Sequence, residues 1–350
     1  MFNLLIRIFL VGGLIFIWPE RVDSNELMAL SCMMILVLVS YSSEPFRPIG
    51  IMALFVPFLF SVLTLFFSKS VVCMSSVLNV FVALTAIKAI GERYDMNNRT
   101  VGIWLAFLFL INAAFLYLQS LGLDKVYAPN FSQFGISGTM ELPWALGCAA
   151  VLALPFIMEI NPFIGLLMMP FLWLSQSSAC ILAGLVALFV YFIKNKKYLM
   201  VTLAASPLIL IVYVLKDGFD SNRLHVWKTA LAYFKHPIIG SGLGSWAHVP
   251  FRHETTAGDP TTFMWWRWAH NEFYQQAFEQ GIIGLLMLIF VCFVIFKFAK
   301  TQCTRAALTG LYILCVFHPV LHWGKLSFFA ILIVGIALAE GYKPSIEAIC

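Results

Sequence analysis

The chain has 350 residues, of which 61% are hydrophobic and only 11% charged, with a mean hydropathy of +0.90. Soluble domains sit nearer half apolar, and here the excess comes in long runs, so a soluble globular fold is excluded as the expectation and lipid becomes the expected solvent. The formal net charge of +5 follows from where Lys and Arg lie around those runs and is no argument for nucleic acid.

Taken in chain order, apolar runs of about 15 to 20 residues suggest spans at roughly 3–18, 27–41, 49–67, 71–90, 101–121, 142–158, 162–175, 178–193, 198–216, 281–298, 306–318 and 326–341. The first has no small-residue cleavage site behind it and reads as a retained span. The seventh and eleventh are short for a hydrocarbon layer about 30 Å thick, so ten to twelve spans are expected. The fold class is therefore all-α: a polytopic transmembrane helical bundle of about twelve spans, forming one integral membrane domain over residues 1–350. A large loop at residues 217–270 lies on the outer side.

Charge placement agrees. With both termini in the cytoplasm, Arg7, Arg47, Lys88, Arg93, Arg99, Lys194, Lys196, Lys197, Lys297, Lys300, Arg305 and Lys343 fall on the inner side. The short outer loops hold only Arg21, Lys69, Lys125 and Lys325, as the positive-inside rule requires. The 8 cysteines fall in spans or on the inner side, without C-x-x-C spacing, and read as small core hydrophobes. No Asp, Glu or His falls at the centre of a span, which argues against a proton-coupled transporter.

All 7 histidines face the outer side in this topology: five in the loop, then His318 and His322 after the eleventh span. The loop opens with "DGFDSNRLHVWKTALAYFKHP", where Asp220 and Ser221 are cap-type residues and Leu224, Trp227, Leu231 and Phe234 recur at helical spacing. This predicts an amphipathic helix that ends at His236-Pro237. It either lies in the outer interface or packs on the bundle. "GSGLGSW" follows, either a phosphate cradle of backbone amides or a tight turn. Trp265, Trp266 and Trp268 read as an interfacial belt or as a platform for a sugar ring. From His270 a helix is expected to run into the tenth span, with His270, Tyr274, Phe278 and Gly281 on one face and Gly281 and Gly284 admitting a neighbouring helix. An imidazole there is a candidate acceptor of a hydroxyl proton. His318 and His322, at i and i+4, are too few ligands for a metal, and no metal or cofactor is expected.

His270-Asn271, nine residues, then Gly281-x-x-Gly284, together with "SNRLHVWKTALAYFKHPIIGSGLGSW", resembles the bacterial O-antigen ligase and polymerase superfamily. "SGTMELPWALGCAAVLALP" and "WLSQSSACILAGLVALFV" look like its earlier spans. The likeness covers roughly residues 135–288. It implies a bacterial inner-membrane protein whose fold resembles the membrane-embedded, metal-independent glycosyltransferases, with one large periplasmic loop. It also implies transfer of a glycan from a polyprenyl (undecaprenyl) diphosphate carrier, either to lipid A-core (ligase) or to a carrier-linked repeat unit (polymerase). By that resemblance Arg223 would bind diphosphate and His270 would orient or deprotonate the acceptor, with Arg267, Lys228, Asn271, Arg252 and Trp227 as supporting substrate contacts. The family often carries an arginine where Ser178 stands, and its ligases often carry Thr where Leu285 stands. The competing reading is a lipid-linked sugar flippase or other polysaccharide transporter.

Overall fold

The computed structural model describes residues 97–123, 143–194, 221–234, 236–249, 268–322 and 324–342. Among them every regular element is helical: α1 (Asn98–Ser120), α2 (Pro143–Met158), α3 (Pro162–Leu166), α4 (Met169–Leu174), α5 (Ser178–Phe192), α6 (Ser221–Ala232), a 3-10 turn (Ser245–His248), α7 (Glu272–Phe298), α8 (Gln302–Phe317) and α9 (Gly324–Tyr342). Helix starts follow from the side chain before them. Asn97, Asn161, Ser177, Asn271 and Thr301 each accept a hydrogen bond from an amide of the first turn they precede, which satisfies donors that a helix leaves orphaned.

Two helices, α1 and α7, are long and apolar enough to cross a membrane. Each presents an apolar face to its surroundings: Ile103, Phe107 and Leu110 on α1, and Leu286, Ile289, Phe290 and Phe293 on α7. Each residue in a set lies three or four positions from another member of it, so each set is one side of a helix. α2, α5, α8 and α9 are shorter apolar helices. The expected span at 162–175 is not one helix: it breaks into α3 and α4, where Pro170 opens the second piece. The first four expected spans and the ninth lie outside the described residues, so the twelve-span count rests partly on sequence alone.

α2 is the hub, and all of its residues except Trp144 are buried. It touches α1, α3, α4, α5, α8 and α9. Small residues make that possible, because Gly147, Ala149, Ala150 and Ala153 let several backbones approach one axis. A side chain on Gly147 would collide with Ser175, and one on Gly102 of α1 with the Phe156 carbonyl.

Polar groups gather at the two ends of α8, a helix of 16 residues and so about 24 Å long. At its start, Glu340 of α9 accepts hydrogen bonds from Lys300 N (2.7 Å), Thr301 N (3.0 Å), Thr301 Oγ1 (2.7 Å) and Thr304 Oγ1 (2.7 Å). A carboxylate here also complements the positive end of the helix dipole. Between the ends α8 buries only small and apolar residues after Thr304, among them Ala307, Leu308, Leu311 and Leu314. The other end carries His318.

α7 is broken at Gly281, whose φ of 68° and ψ of −167° are not helical. Such a break strips the helix of backbone partners, and buried backbone groups cannot go without them. The segment Pro237-Ile-Ile-Gly240-Ser-Gly242 supplies replacements. Ser241 N and Gly242 N donate to the Phe278 and Glu279 carbonyls (3.0 and 2.8 Å), while Ile282 N donates to the Pro237 carbonyl (2.9 Å). Glycine is required on both sides: Gly240 also has positive φ, and a Cβ on it would collide with the backbone of residues 279 and 280. The close neighbour of Gly281 is thus this loop, and not another helix as the Gly281-x-x-Gly284 spacing suggested. Gly281→Ala is expected to destabilise the protein by roughly 1–3 kcal/mol from backbone strain alone, with steric collision in addition. Thermal unfolding of detergent-purified protein checks this, with Ala→Gly exchange at the exposed end of α6 (Ala232→Gly) as the mild reference.

Candidate functional site

The glycine-rich run forms the turn and not the cradle. Gly240, Gly242 and Gly244 all have positive φ, and their amides are already used. Gly240 N donates to the His236 carbonyl (2.7 Å) and Gly242 N to the Glu279 carbonyl (2.8 Å). Gly244 N donates to Glu279 Oε2 at 2.8 Å. The group held by this loop is the protein's own Glu279 carboxyl, which burial pushes up from the usual carboxylate range while the Gly244 amide and Gln275 work against that rise.

α6 and the loop close over α7 through a small aromatic core of Val226, Ala230, Trp246, Val249, Ala269 and Phe278. Trp246 meets Tyr274 and Phe278 edge-on, at 5.9 and 5.3 Å between ring centroids. α6 ends at Ala232, four residues before His236, and Leu231 is 59% exposed, so the predicted apolar stripe is shifted toward Val226, Trp227 and Ala230. Trp227 is fixed by its indole Nε1–H, which donates to the Ala269 carbonyl (2.8 Å), and by stacking on Tyr274 at 5.6 Å. The Tyr274 hydroxyl donates back to the Trp227 carbonyl (2.6 Å).

His270 follows directly. Contrary to expectation it is not on the helix: α7 begins at Glu272, and Asn271 caps it by accepting from Tyr274 N (2.9 Å). His270 has φ of 55°, in the left-handed region that non-glycine residues seldom enter, histidine more readily than most. Both backbone groups of the preceding Ala269 are tied, its carbonyl to Trp227 and its N–H to Gln275 Oε1 (3.0 Å). The half-buried imidazole lies edge-on to Trp144 of α2, with centroids 6.4 Å apart.

Trp144 in turn stacks on His318, at 4.9 Å and 2° between planes. His318 Nε2 shares a hydrogen bond with Ser177 Oγ (2.8 Å) and lies 3.8 Å from Cys180 Sγ. Ser177 follows Gln176, whose φ is 51°; Gln176 and His270 are the non-glycine residues with positive φ among those described. Both strained positions therefore border one cluster, and strain of this kind concentrates at functional sites.

A second polar group lies beside it. Glu272, 4% exposed, accepts from Leu321 N (2.7 Å) and pairs with His322 Nδ1 at 2.8 Å. Gln275 donates to Glu279 Oε1 (3.1 Å) and meets His322 Nε2 at 3.1 Å. Burial of the His322 ring works against its charge, but the adjacent Glu272 carboxylate, with Glu279 behind it, outweighs burial and pushes it up from 6.5 to about 9. The Gln275 amide oxygen is held by Ala269 N–H, so its NH2 faces His322 Nε2. Protonating that nitrogen sets two donors face to face, which works against the charged form.

His318 and His322 therefore turn to different partners and do not converge on a common ion. Of the residues singled out in the sequence, His270, Asn271 and Trp227 are brought together. Lys228 is exposed on α6. Arg223 lies in the first turn of α6, one turn before Trp227; its side chain, like Arg252 and Arg267, lies outside the described residues. Trp227 uses its one donor on Ala269, which leaves only its ring for a ligand. Sequence reasoning missed Trp144, Ser177, Cys180, Glu272, Gln275 and Glu279 as members of the site. The nearest signal was the crowding of amide and acidic residues in "HNEFYQQAFEQ".

Comparison with known proteins finds no match: no family model fits the chain, and no curated protein is similar to it.

Because the folded state raises the His322 value, the Glu272–His322 pair contributes its full stabilisation below about pH 6.5 and loses it as pH rises through about 9. The unfolding temperature of the wild type is expected to fall across that window, and that component of the fall to be absent in His322→Gln. A pH series of thermal melts on both proteins checks it.

Proposed function

We propose that the chain transfers a glycan from a polyprenyl diphosphate carrier to an acceptor hydroxyl at the outer, periplasmic face of a bacterial inner membrane, in the manner of the O-antigen ligase and polymerase superfamily that its motifs resemble. The observation that carries this reading is His270: a non-glycine residue held at φ of 55° by bonds to both sides of Ala269, with its half-buried ring beside Trp144. A merely structural histidine does not need that conformation, whereas a base that must meet a substrate is often presented in this way.

The chemistry follows from the groups present. An acceptor oxygen attacks the anomeric carbon, a new C–O bond forms, and the bond to the carrier's diphosphate breaks with its electron pair. The hydroxyl proton passes to His270. The departing diphosphate gains negative charge without needing a proton, so it needs cations, and the Arg223 guanidinium is the group assigned to it. Arg223 precedes by one helical turn the tryptophan that holds Ala269, so α6 couples the two ends of the reaction. Arg252, Arg267 and Lys228 are the further cations assigned to the donor.

The departure from the family pattern also falls at this place. Ser178 is the first residue of α5, next to the Ser177 that bonds His318. An arginine there would stand at the same cluster. The chain instead offers the amino end of α5, whose dipole favours an anion more weakly than a guanidinium does. The exposed apolar faces of α1 and α7 suit a substrate whose tail stays in lipid while its head reacts in water.

His270→Ala and Arg223→Ala are each expected to abolish long-chain surface polysaccharide while protein level is kept. Wild-type banding in both would remove the basis of the reading. Purified protein given carrier-linked glycan with either lipid A-core or a second carrier-linked unit separates ligase from polymerase, and translocation without transfer would instead favour a flippase.

A further inference from the structure

We propose that Cys148, Cys180 and His318 form a binding site for one soft divalent cation, of the Zn²⁺ type, beneath the His270–Trp144 rim. The sulfurs of Cys148 and Cys180 are 3.6 Å apart, and Cys180 Sγ is 3.8 Å from His318 Nε2. All three ligand atoms lie within 4.8 Å of one another. A tetrahedral zinc with Zn–S of about 2.3 Å and Zn–N of about 2.0–2.1 Å places two sulfurs about 3.8 Å apart and a sulfur and nitrogen about 3.6 Å apart. Two edges of the ligand triangle lie within 0.2 Å of those lengths, and the third, from Cys148 Sγ to His318, is no longer than 4.8 Å.

The residues come from three separate elements: α2, α5 and the C-cap of α8. Two thiols hydrogen-bonded to each other would need no histidine. Three soft donors meeting where both thiols are fully buried and the imidazole is 2% exposed make a ligand set and not a surface coincidence. Charge selects the ion. Binding expels the two thiol protons, so a divalent cation on two thiolates and a neutral imidazole leaves a neutral centre, the form an apolar interior tolerates. A monovalent Cu⁺ would leave one negative charge there. Ser177 Oγ, only partly buried, is bonded to His318 Nε2 at 2.8 Å, a bond that the ion would replace.

The ion's role is to clamp. It joins α2, α5 and the end of α8 at the point where Trp144 stacks on His318, and so fixes the ring against which His270 is set. The proposal is independent of the transfer reaction, and no step of that reaction passes through the ion.

The test uses the full-length protein in detergent. Elemental analysis after equilibration with zinc is expected to give one zinc per chain. Cobalt(II) in its place is expected to show the intense near-ultraviolet thiolate-to-metal band and the visible absorption of a tetrahedral site. Cys148→Ser with Cys180→Ser, and His318→Ala, should lose both signals while eluting as the wild type does. If those variants do not fold, the wild-type cobalt spectrum decides alone. The proposal is overturned if the wild type takes up neither metal, if the double variant keeps it, if Cu⁺ is retained in preference to zinc, or if mass mapping without reductant finds the two cysteines joined as a disulfide.

Discussion

A helix cannot be broken inside a protein unless its freed backbone groups find new partners, and the break at Gly281 is the constraint on which the His270 region depends. The carbonyls of Phe278 and Glu279 and the amide of Ile282 are met by the backbone of the loop from Pro237 to Gly242. That exchange anchors the loop and brings the turn at Gly244 onto the Glu279 carboxylate. It also sets α6 across α7, so that Trp227 reaches Ala269. Remove the exchange and the Trp227 bond to Ala269, one of the two that fix the residue before His270, loses its anchor. Glycine recurs at 240, 242, 244 and 281 because each position has positive φ, and at 240 and 281 two backbones also approach more closely than a Cβ allows.

The polar chemistry is confined by the same logic. α8 separates a carboxylate network at Glu340 from the histidine cluster at its other end, and the residues it buries between them are small and apolar. Among the described residues the buried carboxyl groups at the start of α7 have partners: Glu272 is bonded to His322, and Glu279 to the Gly244 amide and Gln275. Unpaired, each would raise the cost of folding by several kcal/mol, which is why the acidic residues at the start of α7 are neutralised by partners and not exposed to substrate. His270 stands apart from them, half buried, at the rim.

Much of this was legible without coordinates. Apolar runs of the right length located α1, α2, α5, α8 and α9 to within a few residues, because a long apolar run has few structures open to it. Proline and glycine were less well read. Pro170 splits the run at 162–175 into two short helices, and Gly281 marks a break where its spacing to Gly284 suggested helix contact. The stripe on α6 was displaced because burial there is set by Trp246 and Phe278, residues distant in sequence.

What the sequence by itself determined is the helical, lipid-suited character of the described residues and the absence of histidine from the centres of the apolar runs, since hydropathy and charge placement act locally and survive any arrangement of the helices. What only the tertiary structure decided is which polar groups meet: that Trp144 joins His270 to His318, that the glycine run holds a carboxylate, and that Cys148 and Cys180 share a pocket with an imidazole. Those encounters join residues separated by 32 positions, as Cys148 and Cys180 are, to 174, as Trp144 and His318 are. Helix packing brings them together through small residues and one broken helix, and no local pattern encodes them.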